Sequence, residues 1–136
     1  MRVLAIIPAR GNSKSIPFKN IKLFCGKPLV TYSIETALAC SLIERTIVST
    51  DSEKIAEVAR SAGAEVPFLR PDEYAKDDTP DLPVFVHCLD WLNDNEGYVP
   101  DIIVHLRPTS PLRSLEMVED GIQMLLDDPA TDSVRA

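Results

Sequence analysis

The chain opens on Val3-Leu4-Ala5-Ile6-Ile7, a continuous apolar run closed by Pro8. Unbroken apolarity over so short a stretch is the pattern of a strand covered on both faces. From Ala9 to Asn20 the sequence turns polar, with Gly11, Asn12, two serines and Pro17, which predicts a loop. After Gly26-Lys27-Pro28, the residues Leu29, Tyr32, Ile34, Ala37 and Leu38 recur at near-helical spacing. A helix is predicted over Leu29 to Ser41, with Pro28 suited to its first turn. Thr46-Ile47-Val48-Ser49-Thr50 is a β-branched second strand, and Asp51 or Ser52 follows as the cap of a helix. Its stripe is Ile55, Val58, Ala59 and Ala62, and Gly63 ends it.

Glu65 to Leu69 reads as a short third strand, followed by a polar, proline-punctuated loop from Arg70 to Asp81. Leu82, Phe85, Val86, Leu89 and Leu92 then mark an amphipathic helix that stops near Gly97. Ile102-Ile103-Val104-His105-Leu106 is a further buried strand, Arg107 to Arg113 a loop, and Leu115, Val118, Ile122 and Leu125 a last helix. The order is β-α-β-α-β-α-β-α. Such alternation implies an α/β fold of three layers, α/β/α, with a mostly parallel sheet and right-handed crossovers, Rossmann-like in outline.

At 136 residues, 45% hydrophobic and 26% charged, the chain has the composition of one ordinary globular domain, residues 1–136. No apolar run reaches the ~20 residues of a membrane span. The start is too short and too β-like for a signal peptide, so a cytoplasmic location without membrane association is expected. Cys25, Cys40 and Cys88 have no metal-ligand spacing and read as buried or incidental thiols. A formal charge of −7 argues against nucleic-acid binding. Its distribution is uneven: Arg2, Arg10, Lys14, Lys19, Lys22 and Lys27 all precede the first acid, Glu35.

Ligands of open parallel sheets bind where loops leave the carboxyl ends of strands. The loops Ala9–Asn20, Arg70–Asp81 and Arg107–Arg113 occupy such places. The first, Pro8-Ala9-Arg10-Gly11-Asn12-Ser13-Lys14-Ser15-Ile16-Pro17-Phe18-Lys19-Asn20, brings a guanidinium, two ammoniums, hydroxyls and a glycine together. A polyphosphate needs that combination of charge and close N–H approach. The loop lacks the second glycine and Lys-Ser/Thr of a P-loop, and it does not match G-x-G-x-x-G. By composition alone it could equally be a solvated basic loop.

Residues Ile7 to Ile21 resemble the fingerprint of the acylneuraminate cytidylyltransferases, the CMP-sialic acid synthetases. Ser49-Thr50-Asp51, Arg70-Pro71 and Arg107-Pro108-Thr109-Ser110-Pro111-Leu112-Arg113 follow in that family's order. The resemblance implies a nucleotide-diphospho-sugar transferase-like fold and a match to the N-terminal half to two-thirds of a family member. It implies that Arg10 and Lys14 hold the triphosphate, that Lys19 assists, and that Asn20 bonds the ribose. Ala9, Gly11, Asn12 and Ser13 complete the nucleotide loop, with Arg70 and Asp81 at the cytosine end, although Asp81 stands near a position usually held by Ser. Arg107 replaces a common Gln beside the sugar acid. An Arg there can pair with a carboxylate or amide oxygen, so a legionaminic- or pseudaminic-type substrate is indicated.

The reaction so implied transfers CMP from CTP to a nonulosonic acid with release of pyrophosphate, with Mg²⁺ as cofactor. The metal ligands are expected beyond Ala136, and the full-length protein is expected as a possible homodimer. Three rivals stand beside it. One is a cytidylyltransferase for the eight-carbon sugar acid of lipopolysaccharide, whose loop runs on into Leu-Pro-Gly-Lys-Pro-Leu where this chain has Ile-Pro-Phe-Lys-Asn. The second is a noncatalytic nucleotide-binding module, and the third a dehydrogenase-type dinucleotide binder. His87, His105 and Trp91 read as packing or surface residues, Asp51 as a helix cap, and Asp77-Asp78 as solvated acids.

Overall fold

β1 (Val3–Pro8) lies at the centre of a parallel sheet, between β4 (Arg45–Ser49) and β5 (Ile102–His105). The computed structural model describes residues 2–11, 23–71, 81–107 and 115–128. Alternate residues of β1 face opposite ways, as strand geometry requires. Val3, Ala5, Ile7 and Ala9 pack with Val30, Ile34 and Ala37 of α1 (Leu29–Ala39), Ile55 and Ala59 of α2 (Glu53–Ser61), and Val118 and Ile122 of α4 (Leu115–Asp127). Leu4 and Ile6, with Ile47, pack instead against Cys88 and Leu92 of α3 (Asp81–Glu96). The predicted three layers and parallel sheet are therefore present, and the apolar run of β1 is explained by helices on both its faces.

Four predicted features change. The third strand contracts to one parallel bridge between Glu65 and Ile47. A bidentate pairing of Glu65 with Arg45, at 2.9 and 2.6 Å, holds that residue against the sheet. Second, a short hairpin of β2 (Leu23–Phe24) and β3 (Lys27–Pro28) precedes α1. Its turn residues Cys25 and Gly26 have φ of 50° and 87°, the signature of a tight two-residue turn. Pro28 accordingly ends β3 instead of occupying the first turn of α1.

Third, two helices bury only part of the predicted stripe, Ile34 and Ala37 of α1 and Leu92 of α3 with Phe85 and Leu89 packed beside it. α1 buries Val30, Ser33, Ile34 and Ala37, while Leu38 is 52% exposed. α3 buries Val84, Cys88 and Leu92, spaced four apart, and leaves Leu82 at 70% and Val86 at 45% exposure. Finally, β5 pairs with β1 alone among the described residues, and its Ile103 is exposed, so this strand is an edge and not a fully buried one. Neither α1, α2, α3 nor α4 is long and apolar enough to cross a membrane.

The two histidines fill the α3 side of the sheet. His87 meets the ring of Phe68 edge-on at 4.9 Å, and His105 meets Phe85 at 4.7 Å. Trp91 packs beside Phe68 at 5.4 Å. Cys40 and Cys88 are buried, and burial pushes the Cys88 thiol up to about 12. Cys25 lies exposed in the hairpin turn.

Candidate functional site

The chain leaves β1 to form β4 on one side of it, while β5 arrives on the other. Where successive connections depart in opposite directions, the loops separate and open a crevice at the carboxyl ends of the strands. Arg10 follows β1 and Arg107 follows β5, so the two stand at the carboxyl ends of neighbouring parallel strands, the place where such sheets bind ligands.

The departure from β1 is tied down residue by residue. The amide of Ala9 donates to the carbonyl of Ser49 at 2.9 Å, which carries the ladder one step past the strand. The amide of Gly11 then donates to Oδ1 of Asp51 at 2.7 Å. Ala9 and Gly11 are buried, and Arg10 between them is partly buried. Asn12, Ser13, Lys14, Lys19 and Asn20 lie outside the described residues, as do Asp77 and Asp78.

Asp51 is free for this contact because another residue caps the helix. Ser52 accepts from the amide of Ile55 at 3.3 Å, so Ser52, not Asp51, is the N-cap of α2. The amide of Ser52 in turn donates to Oγ1 of Thr50 at 3.1 Å. Ser49 and Thr50 are fully buried. Buried hydroxyls demand partners, and here they join three segments of chain.

The third segment is the start of the Arg70 loop. Arg70 is only 5% exposed; its Nε donates to Oγ of Ser49 at 3.1 Å and its Nη2 to the Ser49 carbonyl at 2.6 Å. Its own amide donates to the carbonyl of Thr50 at 2.7 Å. The side chain that the sequence placed at a base thus also fastens its loop to the end of β4. Asp81 is the first residue of α3.

On the β5 side, Arg107 is exposed, and its carbonyl accepts a hydrogen bond from Oγ of the buried Ser33 at 3.1 Å. Sequence reading passed over Ser33, and it quoted Ser49 and Thr50 only within the Ser49-Thr50-Asp51 match, with no partners assigned. A hydroxyl inside a buried helical stripe, or at the end of a buried strand, is the signal that would have found them, since it must bond to something nearby.

Among the described residues, the cations of the N-terminal segment do not form one patch. Arg2 stands at the amino end of β1, with its guanidinium 5.3 Å from the Tyr98 ring. Lys27 pairs with Glu35 at 2.9 Å, a hydrogen bond and charge that raise its pKa. Arg45, also held well above the usual range by Glu65, is at the amino end of β4. Among the described residues no three His, Cys, Asp or Glu side chains gather as a metal-binding group.

Residues 4–135 match the sequence model of a family described as cytidylyltransferase. The chain is 39% identical over 124 residues to a CMP-N,N'-diacetyllegionaminic acid synthase of Legionella pneumophila, covering 91% of this chain and 53% of that protein. It is 36% identical to a pseudaminic acid cytidylyltransferase of Campylobacter jejuni, covering 94% of this chain and 55% of the relative. It is also 37% identical to an N-acylneuraminate cytidylyltransferase of Escherichia coli, covering 90% of this chain and 28% of that enzyme. The chain thus spans about half the length, or less, of these curated relatives. In fold it superposes on a CMP:2-keto-3-deoxy-manno-octonic acid synthetase solved with CTP, with a TM-score of 0.79 at 24% identity, over 96% of this chain and 49% of that one. With the match running almost from end to end, the chain belongs to the cytidylyltransferase family.

Proposed function

We propose that this chain supplies the nucleotide half of an enzyme that transfers CMP from CTP to a nonulosonic acid. The observation that carries the reading is the placement of Arg10 one residue past the β1–β4 ladder, at the sheet's crevice, with both neighbouring amides tied down. In this reading Arg10, Lys14 and Lys19 neutralise the triphosphate, and Asn20 bonds the ribose. Ala9, Asn12 and Ser13 complete that loop. Gly11 serves through its compact backbone and not through its amide, which Asp51 already engages.

A hydroxyl oxygen of the sugar acid attacks the α-phosphorus, the bond to the bridging oxygen of pyrophosphate breaks in line, and the hydroxyl proton is lost. Positioning and charge stabilisation supply most of the acceleration for such a step. Arg107, at the end of β5, faces the acceptor side and selects among nonulosonic acids. The identities to legionaminic- and pseudaminic-acid enzymes support that choice over the eight-carbon sugar acid of lipopolysaccharide. Mg²⁺, when bound, would neutralise phosphate oxygens. The described residues gather no donor set to fit it, so its ligands are assigned outside them and no step is derived through it. A nucleoside triphosphate substrate supports a cytoplasmic setting, and a homodimer is proposed for the longer protein.

Base selection is assigned to the Arg70–Asp81 loop, which Arg70 anchors at Ser49. A loop fixed at its start presents a defined edge to a pyrimidine and leaves little room for a purine. Calorimetric titration should therefore show tighter binding of CTP than of ATP. Equal affinities, or a preference for GTP, would remove the CTP assignment.

A further inference from the structure

We propose that Asp51 is the positioning residue of the nucleotide site. Its carboxylate fixes the direction in which the phosphate-binding loop leaves β1, and so where Arg10 presents its guanidinium. The inference rests on reading Ala9–Asn20 as that loop.

Three observations lead to it. The ordinary ladder between β1 and β4 ends with Ala9 donating to Ser49, and the next tie, Gly11 to Asp51, is made by a side chain. Arg10 lies between these two ties, so its backbone is held on both sides. Without Asp51 the amide of the buried Gly11 would lose its partner, and an unsatisfied buried donor costs enough to move a loop. Asp51 also has no competing task in α2, because Ser52 caps the helix and Thr50 holds the amide of Ser52. The residue stands immediately before that N-cap, where the positive end of the helix favours a negative charge. An acid can therefore sit beside a phosphate-binding loop with its charge compensated from behind. Because one oxygen holds the loop and no metal-binding group surrounds it among the described residues, a positioning role accounts for Asp51 better than a metal-ligand role.

The test compares wild type with Asp51→Ala and Asp51→Asn in this chain. It reads hydrogen exchange at the Gly11 amide by NMR, CTP affinity by calorimetry, and thermal unfolding. In Asp51→Ala the Gly11 amide should exchange at least tenfold faster and CTP affinity should fall by about tenfold, the scale of one lost charge-assisted hydrogen bond. Asp51→Asn, whose side-chain oxygen still accepts, should restore most of both. If Asp51→Ala does not fold, Asp51→Ser, whose hydroxyl is too short to reach Gly11, provides the same contrast. Unchanged Gly11 exchange would overturn the inference, as would exposed Gly11 with wild-type CTP affinity. A wild-type chain that binds no CTP would overturn the functional reading, and Gly11 exchange would still decide whether Asp51 holds the loop.

Discussion

Arg10 is held between two hydrogen-bonded neighbours, at a point where the sheet has run out of partners and the chain turns toward the crevice. The proposed function puts the charge of this partly buried side chain on a ligand. Arg10→Ala should therefore weaken CTP binding by ~1.5–3 kcal/mol, the scale of a hydrogen bond to a charged group, while the thermal midpoint barely moves. Calorimetry and thermal unfolding of the same samples check this. Lost stability with unchanged affinity per folded molecule would make Arg10 a structural residue. The position of Arg10 just past a buried strand was legible, because Pro8 closes the apolar run; its role on a nucleotide is the proposal. Asp51 was misjudged for a different reason: Asp51 and Ser52 are both good caps, and only the geometry shows that Ser52 takes the helix and Asp51 the loop.

At the level of elements, β1, β4, α1, α2, α3 and α4 could be placed from their patterns to within a few residues, but the faces of two helices only in part. α3 carries apolar residues around much of its circumference, so more than one stripe fits its spacing. Burial chose Cys88 and Leu92 because these meet Leu4 and Ile6 on the sheet, with Phe85 and Leu89 packed beside them. The third strand failed because Pro67 within Glu65–Leu69 has no amide to donate to a ladder, and among the described residues only Glu65 pairs. The end of α2 was clearer. Gly63 has a φ of 102°, and a Cβ built there would lie 2.9 Å from Cδ1 of Leu38 on α1. Gly63→Ala should thus strain the backbone, while the half-exposed Leu38 end can turn aside, and destabilise the protein by about 1–3 kcal/mol. Urea unfolding measures it. A change within a few tenths of a kcal/mol of zero would show that the helix end relaxes freely, and that α1 and α2 are less firmly packed than described.

For the whole molecule, alternation of strands and helices revealed the layers, and the strand order then supplied what the sequence could not, namely that the carboxyl ends of β4 and β5 flank that of β1. Order is set by long-range pairing, Leu4 with Arg45 on one side and with Ile103 on the other, and no local pattern encodes it. The uneven charge was a weaker guide. Among the described residues its cations are divided between the two ends of the sheet, with Arg2 by Tyr98 and Arg10 just past the carboxyl end of β1. The proposed phosphate-binding loop lies within this chain, whereas the described residues assemble no metal-binding carboxylates. Binding and turnover should therefore separate, since charge at the α-phosphorus needs the metal. The most direct measurement is pyrophosphate release from CTP with Mg²⁺ and a panel of nonulosonic acids. It is run on residues 1–136 and on a polypeptide extended to the length of the relatives. The account predicts release by the longer protein with at least one nonulosonic acid and none by residues 1–136. No release by the longer protein with any of these acids, or equal release by both, would contradict it.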